Sequence, residues 1–148
     1  MQDDHLHLLV EATDARALTA GARGLAVRVS RGVNRVLSRR GRLWADRYHA
    51  RELTSPRAVR NALVYVLANH RKHAASVAAI DPCSSAAWFS GWKDEPRTTF
   101  AFDDVRRWRD APPPIAPPKT WLASVGWRRH GLVAVDESPA RRRARDDA

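Results

Sequence analysis

Two histidines, His5 and His7, stand near the start of the chain with Leu6 between them. On an extended strand, residues i and i+2 point to the same side, so the two imidazoles can aim at one point. A divalent ion can use such a pair of nitrogen ligands. A solvated strand face can carry the same pair with no ligand at all. Further along, Asn61, Tyr65, Asn69 and His73 recur at every fourth position. On a helix that spacing makes one stripe. A tyrosine flanked on its own face by two asparagines and a histidine has the polar company of a nucleophile. A phenol holds its proton at neutral pH, so attack through its oxygen needs a nearby cation. The alternative is a tyrosine that packs its ring and turns its hydroxyl outward to a hydrogen-bond partner.

The elements that must position these groups can be read from periodicity. Over His5–Glu11, Leu6, Leu8 and Val10 share one parity while His5, His7 and Glu11 share the other, which predicts a strand with one buried face. Leu18, Ala22, Leu25, Ala26, Val29, Val33, Val36 and Leu37 then recur at three- and four-residue steps, which predicts a helix. Asp14 is its expected N-cap and Gly41 its expected stop. Arg16, Arg23, Arg28, Arg31, Arg35 and Arg39 are spread around the rest of its circumference. An irregular strand is expected near Tyr48–Leu53. Ser55-Pro56 supplies an N-cap followed by proline at the first helical position. It opens a second helix on the stripe Val59, Ala62, Leu63, Val66 and Leu67, expected to run to about Val77.

Residues 81–110 show turn residues and aromatics without a period. Residues 111–118, rich in proline, read as an extended linker, and residues 141–148 as a disordered tail. Three regions follow: 1–80 with the candidate chemistry, 81–118 as irregular segment and linker, and 119–148 as a basic Trp- and Arg-bearing tail. In that tail Trp121, Trp127, Arg128 and Arg129 either read nucleic acid or dock on the body.

Composition narrows the function class. Lys and Arg number 26 against 16 Asp and Glu, a formal net charge of +10. That charge concentrates polyanions near the surface and favours counterion-releasing binding to nucleic acid. Cys83 is the only cysteine, which excludes an internal disulfide and a cysteine-rich zinc site. No apolar run approaches the ~20 residues of a membrane span, and the acidic start Met1-Gln2-Asp3-Asp4 is no signal segment. A cytoplasmic protein without membrane partners is expected.

The joint pattern is similar to a known family. His5-Leu6-His7-Leu8-Leu9-Val10-Glu11 comes first, followed by an Arg-rich amphipathic helix. Then come Gly41-Arg42-Leu43-Trp44-Ala45-Asp46-Arg47-Tyr48-His49 and Tyr65-Val66-Leu67-Ala68-Asn69. This order resembles the REP-associated tyrosine transposases, members of the HUH group of single-strand transposases, over roughly residues 4–75. The separation of His7 from Tyr65 falls where that family places its tyrosine. The resemblance implies an α+β fold, the remnant of a ferredoxin-like domain with strand–helix–strand–helix order, a helix-rich body and an irregular Pro/Trp/Arg-rich C-terminal tail. Family members carry a strand-helix-strand ahead of the double histidine. Here four residues precede His5, so the first strands of that sheet are expected to be missing. Members also commonly have proline after the asparagine, where this chain has His70, so its helix can run on.

The resemblance further implies that His5 and His7 hold Mg²⁺ or Mn²⁺ with Asn69 as third ligand. Tyr65 would be the nucleophile that forms a 5′-phosphotyrosyl link. The partner would be single-stranded DNA bearing hairpins, and the chain would act as a monomer or homodimer at the nucleoid. Arg35, Trp44, Arg47, Tyr48, Arg51, Arg128 and Arg129 are the candidate DNA contacts by charge and stacking. Trp44 has a second reading, as a core anchor. The alternative function is a basic nucleic-acid-binding remnant without catalysis.

Overall fold

The structure is a computed structural model that describes residues 5–68, 70, 80–81, 84–94 and 112–138. Contacts divide the chain into two compact units. One is Val10–Glu52; the other takes in Met1–Leu9 and Leu53–Ala148. The packing boundaries thus fall at Val10 and Leu53.

Val10–Glu52 is built on helix α1, Ala15–Val36. Asp14 caps it as expected: its carboxylate accepts from the Ala17 N–H at 2.7 Å, satisfying one of the donors a helix start leaves open. The end comes earlier than Gly41. Ser38 takes φ 49°. Its N–H donates to Arg35 O, and the Arg39 N–H donates to Asn34 O at 2.9 Å. These two bonds form a Schellman closure that satisfies the last carbonyls, so the helix stops before glycine is reached. Leu18, Ala22, Ala26, Val29 and Val33 are half-buried, and no α1 residue is fully buried. The chain then returns along the helix. The Trp44 indole N–H donates to Ala26 O at 3.0 Å, and the Tyr48 hydroxyl pairs with Thr19 Oγ1 at 3.1 Å.

The strand expected near Tyr48–Leu53 is not formed. Through Tyr48 the returning chain lies on a helix, whose backbone groups are already paired internally, so it meets no ladder there. His5–Glu11 likewise carries no strand. A short strand needs sheet partners to persist. Among the described residues the β pairing is one isolated parallel bridge, Trp92 with Val133. The architecture of these residues is therefore helices plus that bridge.

The second unit is organised by helix α2, Pro56–Ala68. Ser55 caps it, accepting from the Ala58 N–H at 3.2 Å, with Pro56 in the first turn. Val59, Val64, Leu67 and Ala68 are buried. Val64 lies outside the predicted stripe, because α2 is covered on more than one side. His70 lies in a 3₁₀ turn, and the rest of the expected run to about Val77 falls outside the described residues.

A core forms behind α2. Val59, Val64, Trp127 and Val133 make one cluster; Leu67, Ile80 and Ala86 make another; Phe89 and Trp92 touch both. Trp127 arrives on a 3₁₀ turn, Gly126–His130, just after the short helix α3, Trp121–Ser124. It stacks on Phe89 with ring centres 5.5 Å apart, and its indole N–H donates to Ala123 O at 3.1 Å. Gly91 lies against the same ring, where an added Cβ would overlap Trp127 and Phe89. The 119–138 stretch is thus part of the body. Residues 139–148, including the expected disordered tail, lie outside the described residues.

One partly buried arginine ties this stretch down. Arg60 donates to both carboxylate oxygens of Glu137, at 2.5 and 2.8 Å, and to Gly131 O and Leu132 O at 2.9 Å each. The two side chains are only 14% and 27% exposed. The hydrogen bond from Arg60 holds the Glu137 carboxyl below its ordinary range against the opposing effect of burial. A carboxyl lowered in the folded state stabilises fully above its unfolded value, and that gain is lost as pH falls through the folded one. Glu137→Gln is therefore expected to cost about 1–2 kcal/mol at pH 7. In urea titrations from pH 7 into acid, the gap to wild type should close as pH falls below the carboxylate range. A gap that stays constant would show that the charge is irrelevant.

Candidate functional site

The His5–His7 segment and α2 belong to the same unit, and three of the predicted site side chains meet there. The His5 and His7 rings are 4.6 Å apart between centres, edge to face at 76°. The His7 ring meets Tyr65 in the same way, at 4.7 Å and 76°. The chain therefore brings His5, His7 and Tyr65 into a continuous line of three rings without a β-ladder to hold the histidines. Tyr65 and His7 are half-buried, and His5 is exposed.

Helix geometry explains the orientation of Tyr65. Two positions along a helix turn by about 200°, so Tyr65 stands nearly opposite Leu63, which packs against the Trp127 core. Leu67, buried on the far side, and Val64, buried about 100° around from Tyr65, fix the roll of α2. Apolar packing behind the helix thus directs the phenol ring to the histidine side. Asn61 shares the Tyr65 side and is exposed.

The spacing of the imidazoles bears on whether they suit a metal. With each nitrogen about 2.1 Å from a shared ion and a right angle between them, two imidazole centres stand roughly 4.5–5 Å apart. The observed 4.6 Å fits two such ligands. It also fits a plain edge-to-face contact. Imidazole nitrogen is a better donor to Mn²⁺ and the later transition ions than to Mg²⁺, which prefers oxygen. Among the described residues no group of three or more His, Cys, Asp or Glu side chains is placed to hold a metal ion. Asn69, the expected third ligand, and His73 of the same stripe lie outside the described residues.

The candidate DNA contacts separate by location. Arg35, Trp44, Arg47, Tyr48 and Arg51 all belong to the Val10–Glu52 unit. The three arginines are exposed and Tyr48 is nearly half-exposed. Trp44 is half-buried with its N–H on the α1 backbone, so the anchor reading describes its packing. Arg128 and Arg129 are exposed in the other unit. Arg128 lies over the Trp127 ring at 4.7 Å, and Arg129 over Trp121 at 4.8 Å.

Two residues of structural weight were not singled out from sequence. Arg60 had no signal in the predicted stripe. It lies on the face of α2 between Val64 and Leu67, where an unpaired cation would be costly, but Val64 falls outside the predicted stripe, so only the structure shows that this side is covered. That the partner is Glu137 could not be read from so great a separation. No helix of the described residues is long and apolar enough to cross a membrane. No family model, curated protein or solved structure matches this chain.

Proposed function

We propose that this chain is a single-strand DNA transposase of the HUH tyrosine type, which cuts and rejoins DNA through a 5′-phosphotyrosyl intermediate. The observation that carries this reading is the row of His5, His7 and Tyr65, in which a histidine pair near the start of the chain meets a distant tyrosine edge to face. The reading takes the helices and the histidine segment as parts of a ferredoxin-like domain. It places the protein in the cytoplasm at the nucleoid, as a monomer or homodimer, with hairpin-bearing single-stranded DNA as substrate.

His5 and His7 would hold Mn²⁺ or Mg²⁺ together with Asn69. The bound ion would supply charge stabilisation at the scissile phosphate. Tyr65 supplies the attacking oxygen. Its Oη–phosphorus bond forms as the bond from phosphorus to the 3′ oxygen breaks. The phenol gives up a proton and the leaving 3′ oxygen takes one, so charge and protons balance. The phosphodiester energy is kept in the tyrosyl ester, which a second 3′-OH can attack without ATP. Exposed Arg35, Arg47, Arg51, Arg128 and Arg129 would bind phosphates by charge, with Tyr48 and Trp44 offering ring surface.

Adduct formation with a hairpin oligonucleotide tests this reading. His7→Ala is expected to lower the adduct rate by about a hundredfold or more, and Mn²⁺ should support the wild type better than Mg²⁺ because the donors are imidazoles. Equal adduct in the presence of a chelator would remove the metal from the mechanism. A second reading, a basic nucleic-acid binder without chemistry, rests on the +10 charge and on there being only two histidine donors in the described site. It predicts salt-sensitive binding with no adduct at all.

A further inference from the structure

The tryptophans of the C-terminal stretch have parted company. Trp127 is 2% exposed and belongs to the core, whereas Trp121 is 50% exposed at the first position of α3. A Cβ built on Gly126 would lie 2.7, 2.8 and 3.0 Å from three consecutive atoms of the Trp121 six-membered ring. Such near-equal distances put Gly126 over the face of the ring, not at its edge. Arg129 also lies over this ring. In a 3₁₀ turn residues three apart eclipse one another, so Gly126 and Arg129 come from the same side of Gly126–His130. The Gly126 backbone and the Arg129 guanidinium thus both lie against the indole, and Trp121 still remains 50% exposed. The absence of a Cβ at Gly126 is what lets the backbone lie flat against it.

We infer that the exposed indole of Trp121 is a stacking platform for one unpaired base of a single-stranded nucleic acid. It rests on the reading that the ligand is single-stranded DNA, and it names the residue that discriminates single strands from duplex. Charge supports that occupant over a neutral aromatic one. Arg129 lies over the Trp121 ring, and Arg128 and His130 are exposed on the same turn, Arg128 over the Trp127 ring; among the described residues Arg129 is paired with no carboxylate. A duplex buries its base faces in its own stack, so only an unpaired base can use the platform. The Thr120 cap on Ala123 N and the Gly126 contact keep the ring oriented. Little side-chain freedom is then lost on binding.

The test compares two labelled oligonucleotides of equal length and charge, oligothymidylate and an abasic chain, by fluorescence anisotropy on the full-length protein. Wild type should bind oligothymidylate more tightly. Trp121→Ala should narrow that preference by about tenfold, Trp121→Phe should restore part of it, and duplex affinity should not change. Unchanged preference in Trp121→Ala, or equal weakening of both oligonucleotides, overturns the platform. Trp121→Phe keeps a ring in place, so it remains informative if the alanine variant loses α3. Adduct formation by the same preparations at saturating hairpin DNA reads the Tyr65 chemistry separately. The platform can thus fail while the chemistry stands, and the reverse.

Discussion

Tyr65→Phe is expected to abolish the covalent protein–DNA adduct, a loss of at least roughly a thousandfold, while leaving the fold and the DNA affinity in place. The substitution removes one oxygen and keeps the ring. The edge-to-face contact with His7 at 4.7 Å needs only the ring, and the packing of Leu63, Val64 and Leu67 behind α2 is untouched. Thermal unfolding should therefore move little. Affinity for single-stranded DNA should stay within about twofold and keep its salt slope, since phosphate contacts by arginine set that slope. The measurement is an adduct assay on denaturing gels with a hairpin oligonucleotide in Mn²⁺ and in Mg²⁺. An adduct that persists in the phenylalanine variant would move the nucleophile elsewhere. A wild type that binds DNA but forms no adduct in either ion would leave the binding module as the function.

Trp127→Ala should destabilise the protein by about 3–5 kcal/mol, the range for emptying a fully packed aromatic site. The ring fills the space between Val59, Val64 and Val133, and it stacks on Phe89. Close contact with Gly91 leaves little slack for collapse. Small domains have only about 5–15 kcal/mol of total stability, so the variant should be partly unfolded at 37 °C. The same experiment on Trp121→Ala should cost less than about 1 kcal/mol, because that ring is half in solvent. Urea unfolding followed by circular dichroism compares the two. Equal losses would contradict the division into anchor and exposed ring. Because Trp127 packs behind the helix that presents Tyr65, its loss should also reduce adduct formation in proportion to the unfolded fraction.

Local signals were strong where the physics is local. Asp14 before an apolar period and Ser55-Pro56 before another marked both helix starts, because capping depends on residues within one turn. The common side of Asn61 and Tyr65 on α2 followed from helical spacing alone; Asn69 and His73 lie outside the described residues. The end of α1 was misplaced because a Schellman closure at Ser38 competes with glycine at 41. That choice depends on backbone hydrogen bonds, and residue type does not disclose it. The two strands failed for a different reason. Alternating residues record a preference for one buried face, but a strand exists only if another chain segment offers a ladder.

What the sequence by itself determined is the inventory: two alternating histidines, a tyrosine on a helix, a strongly basic surface and two well-capped helices. The tertiary structure decided which of these meet. It set His5, His7 and Tyr65 ring to ring, although His7 and Tyr65 lie on separate segments. It also drew Trp127 into the core while leaving Trp121 outside, two residues that composition cannot distinguish. The reason in both cases is long-range packing. Which side of α2 faces the histidines is settled by what fills the opposite side, and that filling comes from residues 53, 89, 92, 122, 127 and 133, most of them far away in the chain.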